Sequence, residues 1–416
     1  MEILHQRCAG FDVSKNDVKV CVRVQQPHGE AEYSTRTWGA TTRQILALRD
    51  FLVAEQVSTV FLESTGNYWK PFYYLLEDRL DVVLVNAQHS KHVPGRKSDV
   101  SDAAWLADLG AHGLLRSSFV PPKPIRELRD LTRARVQISR DQHRQLERID
   151  AVLQGAGIKL SSVVSDLTGK SAWTIMRAMV AGMTSPDDLA DLAIGKLRPK
   201  IGQLVEALES GRFGDHQRFL LQIQMDGYQR LQADLDRLDD RIEGLMSPFQ
   251  ARVEQLRSIP GISTGVAQVI IAETGGDLSV FPSPDHLASW AGVAPGKHQS
   301  AKKERNVAAP PGDKHLQRAL GIAVMGILRG RKDNYLKARY RRVARRRGPA
   351  RAMVALQRNL VVIIWHMFHD GSHYHDLGAE YYTQRRRAHA LTSALRTLHE
   401  LGINVTIDPT QAAAVA

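Results

Sequence analysis

Four acidic residues stand where acids are out of character. Asp12 lies in the alternating segment GFDVSKNDVKVCVRV between Phe11 and Val13, a strand-like pattern in which Asp is disfavoured. Glu63 closes the apolar run VFLE, at the strand edge where α/β proteins usually place their chemistry. Asp99 and Asp102, in KSDVSDA, are three apart, so on one helix they would share a face. Carboxylates a few ångströms apart either take up protons or bind cations. Ligation by oxygen alone suits Mg2+ or Mn2+, and two such ions clamp the attacking and leaving oxygens of a phosphodiester. Each acid also has a plain alternative. Asp12 can flank a turn, Glu63 can precede the next helix, and Asp99 can cap a helix whose dipole Asp102 favours.

The elements around these acids decide between the two readings. The first segment alternates across a turn at Ser14–Asp17, and AEYSTRTWGA supplies a third strand. TTRQILALRDFLVAEQ has helical spacing at Ile45, Leu46, Leu48, Leu52 and Val53, with Thr41 or Thr42 as the cap. VSTVFLEST, NYWKPFYYLLEDRL and DVVLVNA then read as strand, helix and strand. DVSDAAWLADLGAHGLL reads as a helix that starts at Ser98 or Asp99. The order βββαβαβα is that of the RNase H-like fold, whose nucleases gather carboxylates from the first strand, the fourth strand and the last helix around divalent metal. Residues 1–122 form this domain.

Residues 123–254 form a helical connector. An irregular apolar stripe runs through Leu128, Leu131, Ile138, Leu146, Ile149 and Leu153, and a sharper one runs from Leu221 to Phe249, interrupted by Gln224. A helical hairpin and an intermolecular coiled coil fit this periodicity equally. Residues 255–370 begin with LRSIPGISTGVAQVIIAETG, which resembles a helix-hairpin-helix: glycines at Gly261 and Gly265 would turn backbone N–H groups toward a phosphate. Close helix packing at the same glycines is the alternative. SWAGVAPGKHQSAKKERN reads as a loop. The seven arginines Arg339, Arg341, Arg342, Arg345, Arg346, Arg347 and Arg351 have the density of a phosphate-binding footprint, against the alternative of a solvated charged face. Residues 371–416 form a tail without a legible motif.

Composition sets the bounds. The chain has 416 residues, with 56 Lys and Arg against 44 Asp and Glu and a net charge of +12, a balance that favours an anionic partner such as nucleic acid. Two cysteines are too few for a disulfide framework or a Cys-based metal cluster. Neither a membrane-length apolar run nor a signal-peptide pattern is present, so the expected setting is cytoplasmic.

The assembly GFDVSK, ESTGNY, KSDVSDAAWLADL and SIPGIS through LASWAGVAPGKHQSAKK resembles the transposases of the insertion sequence 110 family and its 1111 subgroup, from about residue 8 to 370. The resemblance implies an architecture of α/β plus α, with a RuvC-like DEDD domain, a coiled-coil connector and a mostly helical transposase domain. It implies that Asp12, Glu63, Asp99 and Asp102 hold Mg2+ or Mn2+ and that Ser300 is a nucleophile. Without it, Ser300 is one hydroxyl among rivals such as Ser263, Ser283 and Ser289. Lys302, Lys303, Arg305, Arg341, Arg342, Arg345 and Arg346, with Gly261 and Gly265, are the expected nucleic-acid contacts. Two departures stand out: Ala301 replaces a glycine after the serine, and Gln317 stands where the family has arginine, with Arg318 next to it.

The implied mechanism is attack of Ser300 on a backbone phosphorus to form a phosphoserine-DNA link, directed by a non-coding guide RNA. The implied partners are double-stranded DNA, that RNA and further copies of the chain as a dimer of dimers, in a bacterial, nucleoid-associated setting. Two other readings compete. One is a RuvC-like metal nuclease acting on branched DNA without a covalent intermediate, and the other is a non-enzymatic DNA-binding scaffold.

Overall fold

The computed structural model describes residues 3–27, 29–64, 66–85, 101–209, 212–300, 303–307 and 311–403. The chain divides into two units, Met1–Val120 and Pro121–Ala416.

The first unit runs β1 (Arg7–Val13), β2 (Asp17–Val24), β3 (Glu32–Gly39), α1 (Thr42–Ala54), β4 (Thr59–Glu63), α2 (Trp69–Leu76), β5 (Asp81–Val85) and α3 (Asp102–Ala111), in the expected order. Its sheet has the strand order β3-β2-β1-β4-β5. The first three strands are antiparallel, and β1, β4 and β5 are parallel. Side chains alternate between the faces of a strand, and the alternation sorts the core. Ala9, Phe11, Val60 and Leu62 face α1 and α2 with Ile45, Leu48, Leu52 and Phe72. Cys8, Phe61 and Val85 face the other way, toward Ala111 at the end of α3. The edge strand β3 is mostly exposed, and its polar sequence fits an edge that must resist further pairing.

Helix α3 starts later than the sequence suggests. Ser101 is extended (φ −62°, ψ 151°), and its side chain accepts the Ala104 N–H, so Ser101 is the cap in place of Ser98 or Asp99. Asp102 opens the helix. The shared face expected of Asp99 and Asp102 involves a residue outside the described ones, Asp99.

The second unit opens with α4 (Lys123–Gly155), which packs against α9 (Asp215–Met246) within the same chain. The pairing is antiparallel: Arg135 reaches Asp239 at 2.9 Å, Gln142 bonds Gln232 at 2.7 Å, and Gln145 bonds Gln224 at 2.7 Å. Gln224, the break in the apolar seam, therefore has a buried polar partner, and such a pair fixes register. The seam is carried by Leu221, Met225, Leu235, Ile242 and Met246. Its two methionines were not in the expected set. Between the long helices, α5 (Leu160–Val163), α6 (Lys170–Val180), α7 (Pro186–Asp191) and α8 (Ile201–Leu208) close over the hairpin end around Ile149, Leu153, Ile175 and Leu204.

After the hairpin come α10 (Gln250–Arg257), α11 (Thr264–Thr274), α12 (Pro284–Trp290), the β6–β7 hairpin (Gly296–Ser300, Lys303–Val307), α13 (Lys314–Arg329), α14 (Tyr335–Arg347), α15 (Pro349–Asp370) and α16 (Gly378–Glu400). Every residue of α11 from Val266 to Thr274 is buried, which makes it the central helix of this half. The start of the tail is tied in: Gln255 donates to the Ser372 carbonyl and Ser258 accepts the Tyr374 N–H. No described helix is long and apolar enough to cross a membrane.

Candidate active site and nucleic-acid interface

Three of the four predicted carboxylates reach one corner of the first unit. Register pairs Gly10 with Phe61 and Phe11 with Leu62, where the parallel ladder ends, and Asp12 and Glu63 are the next residue on each strand. Asp12 shares the face of Cys8 and Gly10, and Glu63 shares the face of Phe61. That is the face covered by α3. Cys8 donates to the Ala107 carbonyl, and Gly10 lies against Ala103 and Ala107. Residue numbers on the helix thus fall as those on β1 rise, which carries the helix start, Asp102, to the Asp12 end. Asp12 is exposed, and Glu63 and Asp102 are half-buried. Lys19 stands across from Asp12 on β2.

Close packing holds this corner. A Cβ on Gly10 would lie 2.1 Å from the Ala103 carbonyl oxygen and 2.5 Å from the Ala107 nitrogen, and one on Gly110 would lie 2.2 Å from the Phe61 ring. Arg23, 3% exposed, donates to Asp108 at 3.2 Å, and Tyr33 donates to the same carboxylate at 3.1 Å. These residues fix the helix on the sheet and were not singled out from the sequence. The signal available for Gly10 was a glycine inside a strand, which marks close backbone approach.

The donors suit a hard divalent cation in type. Even so, no three His, Cys, Asp or Glu side chains among the described residues are near enough together to hold a metal ion. The corner is a carboxylate-bearing edge with its fourth candidate, Asp99, outside the described residues.

Ser300 ends β6 and is in register with Lys303, the first residue of β7. The segment read as a loop is therefore a β-hairpin, with the serine at its turn. Arg305 pairs with His298 on the same hairpin, and Ala301 and Lys302 lie outside the described residues. Gly312 approaches Gly292 so closely that a Cβ would meet its nitrogen at 2.1 Å. Asp313 caps α13 by accepting the His315 and Leu316 N–H groups. Gln317, where the family has arginine, donates to the Gly292 carbonyl at 3.3 Å.

At the hairpin between α10 and α11, Gly261 has φ +86°, and its Cβ would meet the Ala323 carbonyl at 2.4 Å. Packing against α13 accounts for that glycine without a ligand. Gly265 is in the first turn of α11, and its carbonyl accepts from Arg135 at 3.1 Å. On α14, Arg341, Arg342, Arg345 and Arg346 are exposed. Arg341 pairs with Asp333 at 2.9 Å and holds that carboxyl below the usual range. Arg342, Arg345 and Arg346 have no ion-pair partner among the described residues.

One node escaped sequence reasoning. Glu273, fully buried, takes both Arg133 donors, at 2.8 and 2.7 Å, and lies 3.1 Å from Arg129. Burial pushes the carboxyl up against the downward pull of the two guanidiniums. The node ties α4 to α11.

Residues 9–158 match a transposase family model named for the DEDD transposases of IS110, and residues 253–341 match the model described as Transposase IS116/IS110/IS902 family. Among curated proteins, the chain is 31% identical over 121 residues to the uncharacterized 43.6 kDa protein of insertion element IS110 of Streptomyces coelicolor, covering 29% of each chain. It is 30% identical over 123 residues to the uncharacterized 42 kDa protein of insertion element IS900 of Mycobacterium paratuberculosis, covering 29% of this chain and 31% of that one. These two matches thus span under a third of the relatives' length. A third, to the uncharacterized 44.8 kDa protein of insertion element IS116 of Streptomyces clavuligerus, is 24% identical over 70% of this chain and 79% of the relative. The chain belongs to the IS116/IS110/IS902 family of transposases.

Proposed function

We propose that the chain is a DNA transposase that cuts and rejoins the strands of a mobile element through a serine nucleophile and a RuvC-like carboxylate site. What supports this reading is that Asp12 and Glu63 follow the last paired residues of neighbouring parallel strands and that Asp102 opens the helix packed on that face, all within the span that matches a DEDD transposase model. Asp99 is the proposed fourth member. A bound Mg2+ or Mn2+ would supply Lewis-acid stabilisation of the oxygens that gain charge during phosphoryl transfer.

The residues divide the remaining work. Asp12, Glu63, Asp99 and Asp102 would hold the cation. Ser300 Oγ bonds to phosphorus as the P–O3′ bond breaks, its proton leaves, and the 3′ oxygen departs as a hydroxyl. The phosphoserine ester conserves the bond energy, so a second 3′ hydroxyl can reverse the step and reseal the strand. Lys302, Lys303, Arg305 and the open face of α14 neutralise phosphates. Gly265 lies at the first turn of α11, where N–H groups remain free for a phosphate. A guide RNA from the element selects the DNA by pairing, a further copy of the chain brings a second DNA end, and the protein acts at the bacterial nucleoid.

The test is a strand-transfer reaction with the purified protein, its element's flanking non-coding RNA and DNA ends, run with Mg2+ and resolved on denaturing gels. The expected result is a protein-DNA adduct absent from Ser300→Ala, with all cleavage lost in Asp12→Ala and Asp102→Ala. Full cleavage by Ser300→Ala would replace the serine mechanism with metal-dependent hydrolysis. Unimpaired cleavage by Asp12→Ala would dismiss the carboxylate site.

A further inference from the structure

A cavity of about 550 Å³ opens where α4, α9, α11 and α13 meet. One wall is Arg133, Val136 and Arg140 on α4, and the opposite wall is His315, Arg318 and Ile322 on α13. Each set has helical one-face spacing. Leu235 and Val269 give it an apolar floor. The cavity therefore has an oily interior and a rim of four arginines against two carboxylates, Asp239 and Glu273, and apolar surface with surplus cations holds a base by its face and a phosphate by its charge.

The rim cations differ in availability. Arg133 is engaged by Glu273, and Arg135 by Asp239 and Gln268. Arg140 and Arg318 have neither a hydrogen bond nor an ion pair among the described residues. The first turn of α11 also borders the cavity through Ser263, Gly265 and Val266. Ser263 takes the Val266 N–H, and the earlier amides of the turn lack partners within the helix. The local field has the matching sign. Burial first, then Arg133, hold the His315 imidazole below its ordinary value; Asp313 opposes them, and Lys314 and Arg140 add smaller effects in the direction of Arg133.

We infer that this cavity receives one unstacked nucleotide of a single-stranded nucleic acid, with its phosphate on Arg140 and Arg318 and its base against Val136, Leu235 and Val269. Bases in an intact duplex face inward, so only a strand that is open or locally extruded can enter. The inference rests on the nucleic-acid reading above and adds a site to it, between the hairpin and the buried helix α11.

The experiment uses the full chain and fluorescence anisotropy with labelled oligothymidine, oligouridine and duplex DNA of about 12 nucleotides. Arg140→Ala/Arg318→Ala is expected to weaken single-strand binding about tenfold while duplex binding holds. The salt slope should fall by about 0.7 for each phosphate that is no longer neutralised. Ile322→Glu, a charge placed at an exposed wall position (54% exposed), is expected to weaken the same binding without touching an arginine. Thermal melts equal to the parent's show that both variants fold. Comparing oligothymidine with oligouridine tells which strand, DNA or RNA, occupies the site. Single-strand binding unchanged in both variants overturns the inference and leaves the nucleic-acid reading intact. Equal loss of duplex and single-strand binding overturns it as well. A parent protein that binds none of the three probes overturns both.

Discussion

Gly10→Ala tests whether the carboxylate corner is held by close packing. The new Cβ would stand 2.1 Å from the Ala103 carbonyl oxygen, and Cβ contacts under 3.0 Å essentially do not occur, so α3 and β1 must separate by at least 0.9 Å, the difference 3.0 − 2.1. The obstructing atoms at 2.1 and 2.5 Å belong to the helix backbone, so no side-chain rotation relieves them. Overpacking of this kind costs about 1–3 kcal/mol. In a unit of this size that lowers Tm by on the order of 10 °C.

The consequence for chemistry is larger. Ala103 is the neighbour of Asp102, so the shift falls on that carboxylate while Asp12 and Glu63 stay with the sheet. A misplacement of about 1 Å costs on the order of 100-fold in rate. Strand cleavage should therefore drop by about that factor while DNA affinity, proposed above to rest on the other unit, is kept. Gly110→Ala supplies the contrast. It clashes with the Phe61 ring at 2.2 Å but lies eight residues beyond Asp102, about 12 Å along the helix. It should lose comparable stability with a much smaller loss of rate. A Gly10→Ala protein that melts within about 1 °C of the parent and cleaves at the parental rate would refute the close-packing argument. Equal rate losses in the two variants would refute the positioning argument.

The other two predictions concern buried charge and a buried thiol. Glu273→Met leaves Arg129 and Arg133 without their shared carboxylate. Breaking such a pair costs about 3–5 kcal/mol, here toward the lower end because Arg129 keeps two backbone carbonyls and Arg133 keeps Asp313 at 3.5 Å. Urea unfolding measures it, and a cost under about 1 kcal/mol would show the node to be dispensable. Burial pushes the Cys8 thiol from 9.0 up to about 12. The folded state therefore keeps a proton that the unfolded chain releases, so this contribution to stability is complete below pH 9 and is lost as pH rises from 9 toward 12. Unfolding midpoints should fall across that window. Alkylation of Cys8 at a pH of about 8 before the protein unfolds would contradict the burial.

How far the sequence could be read depended on the range of the interaction. The mixed sheet was legible because period-2 alternation marks β1 and β2 and an unbroken apolar run marks β4, and Asp12 and Glu63 were conspicuous against them. The start of α3 was not, because SDVS offers Ser98, Asp99 and Ser101 as caps within four residues, and only the backbone at Ser101 decides among them. Gln224 was visible as a break in a seam, but its partner Gln145 lies 79 positions away. Glu273 sits in IIAETGG, and its guanidiniums are about 140 residues upstream.

The cavity at Arg140 and Arg318 was the hardest feature to read, for a reason that extends beyond range. Its opposing walls come from helix faces spaced i, i+3 and i+7, the same spacing that marks an apolar core seam. A sequence shows that such a face is turned inward, but not whether the facing helices close on each other or stand apart. Here α4 and α9 touch through Gln142 and Gln232, and α4 is tied to α11 through Glu273. Between these attachments Arg140 and Arg318 meet no acid among the described residues. An unpaired cationic rim on an apolar floor is thus a product of how four helices are spaced, and it becomes a candidate binding site only once that spacing is known.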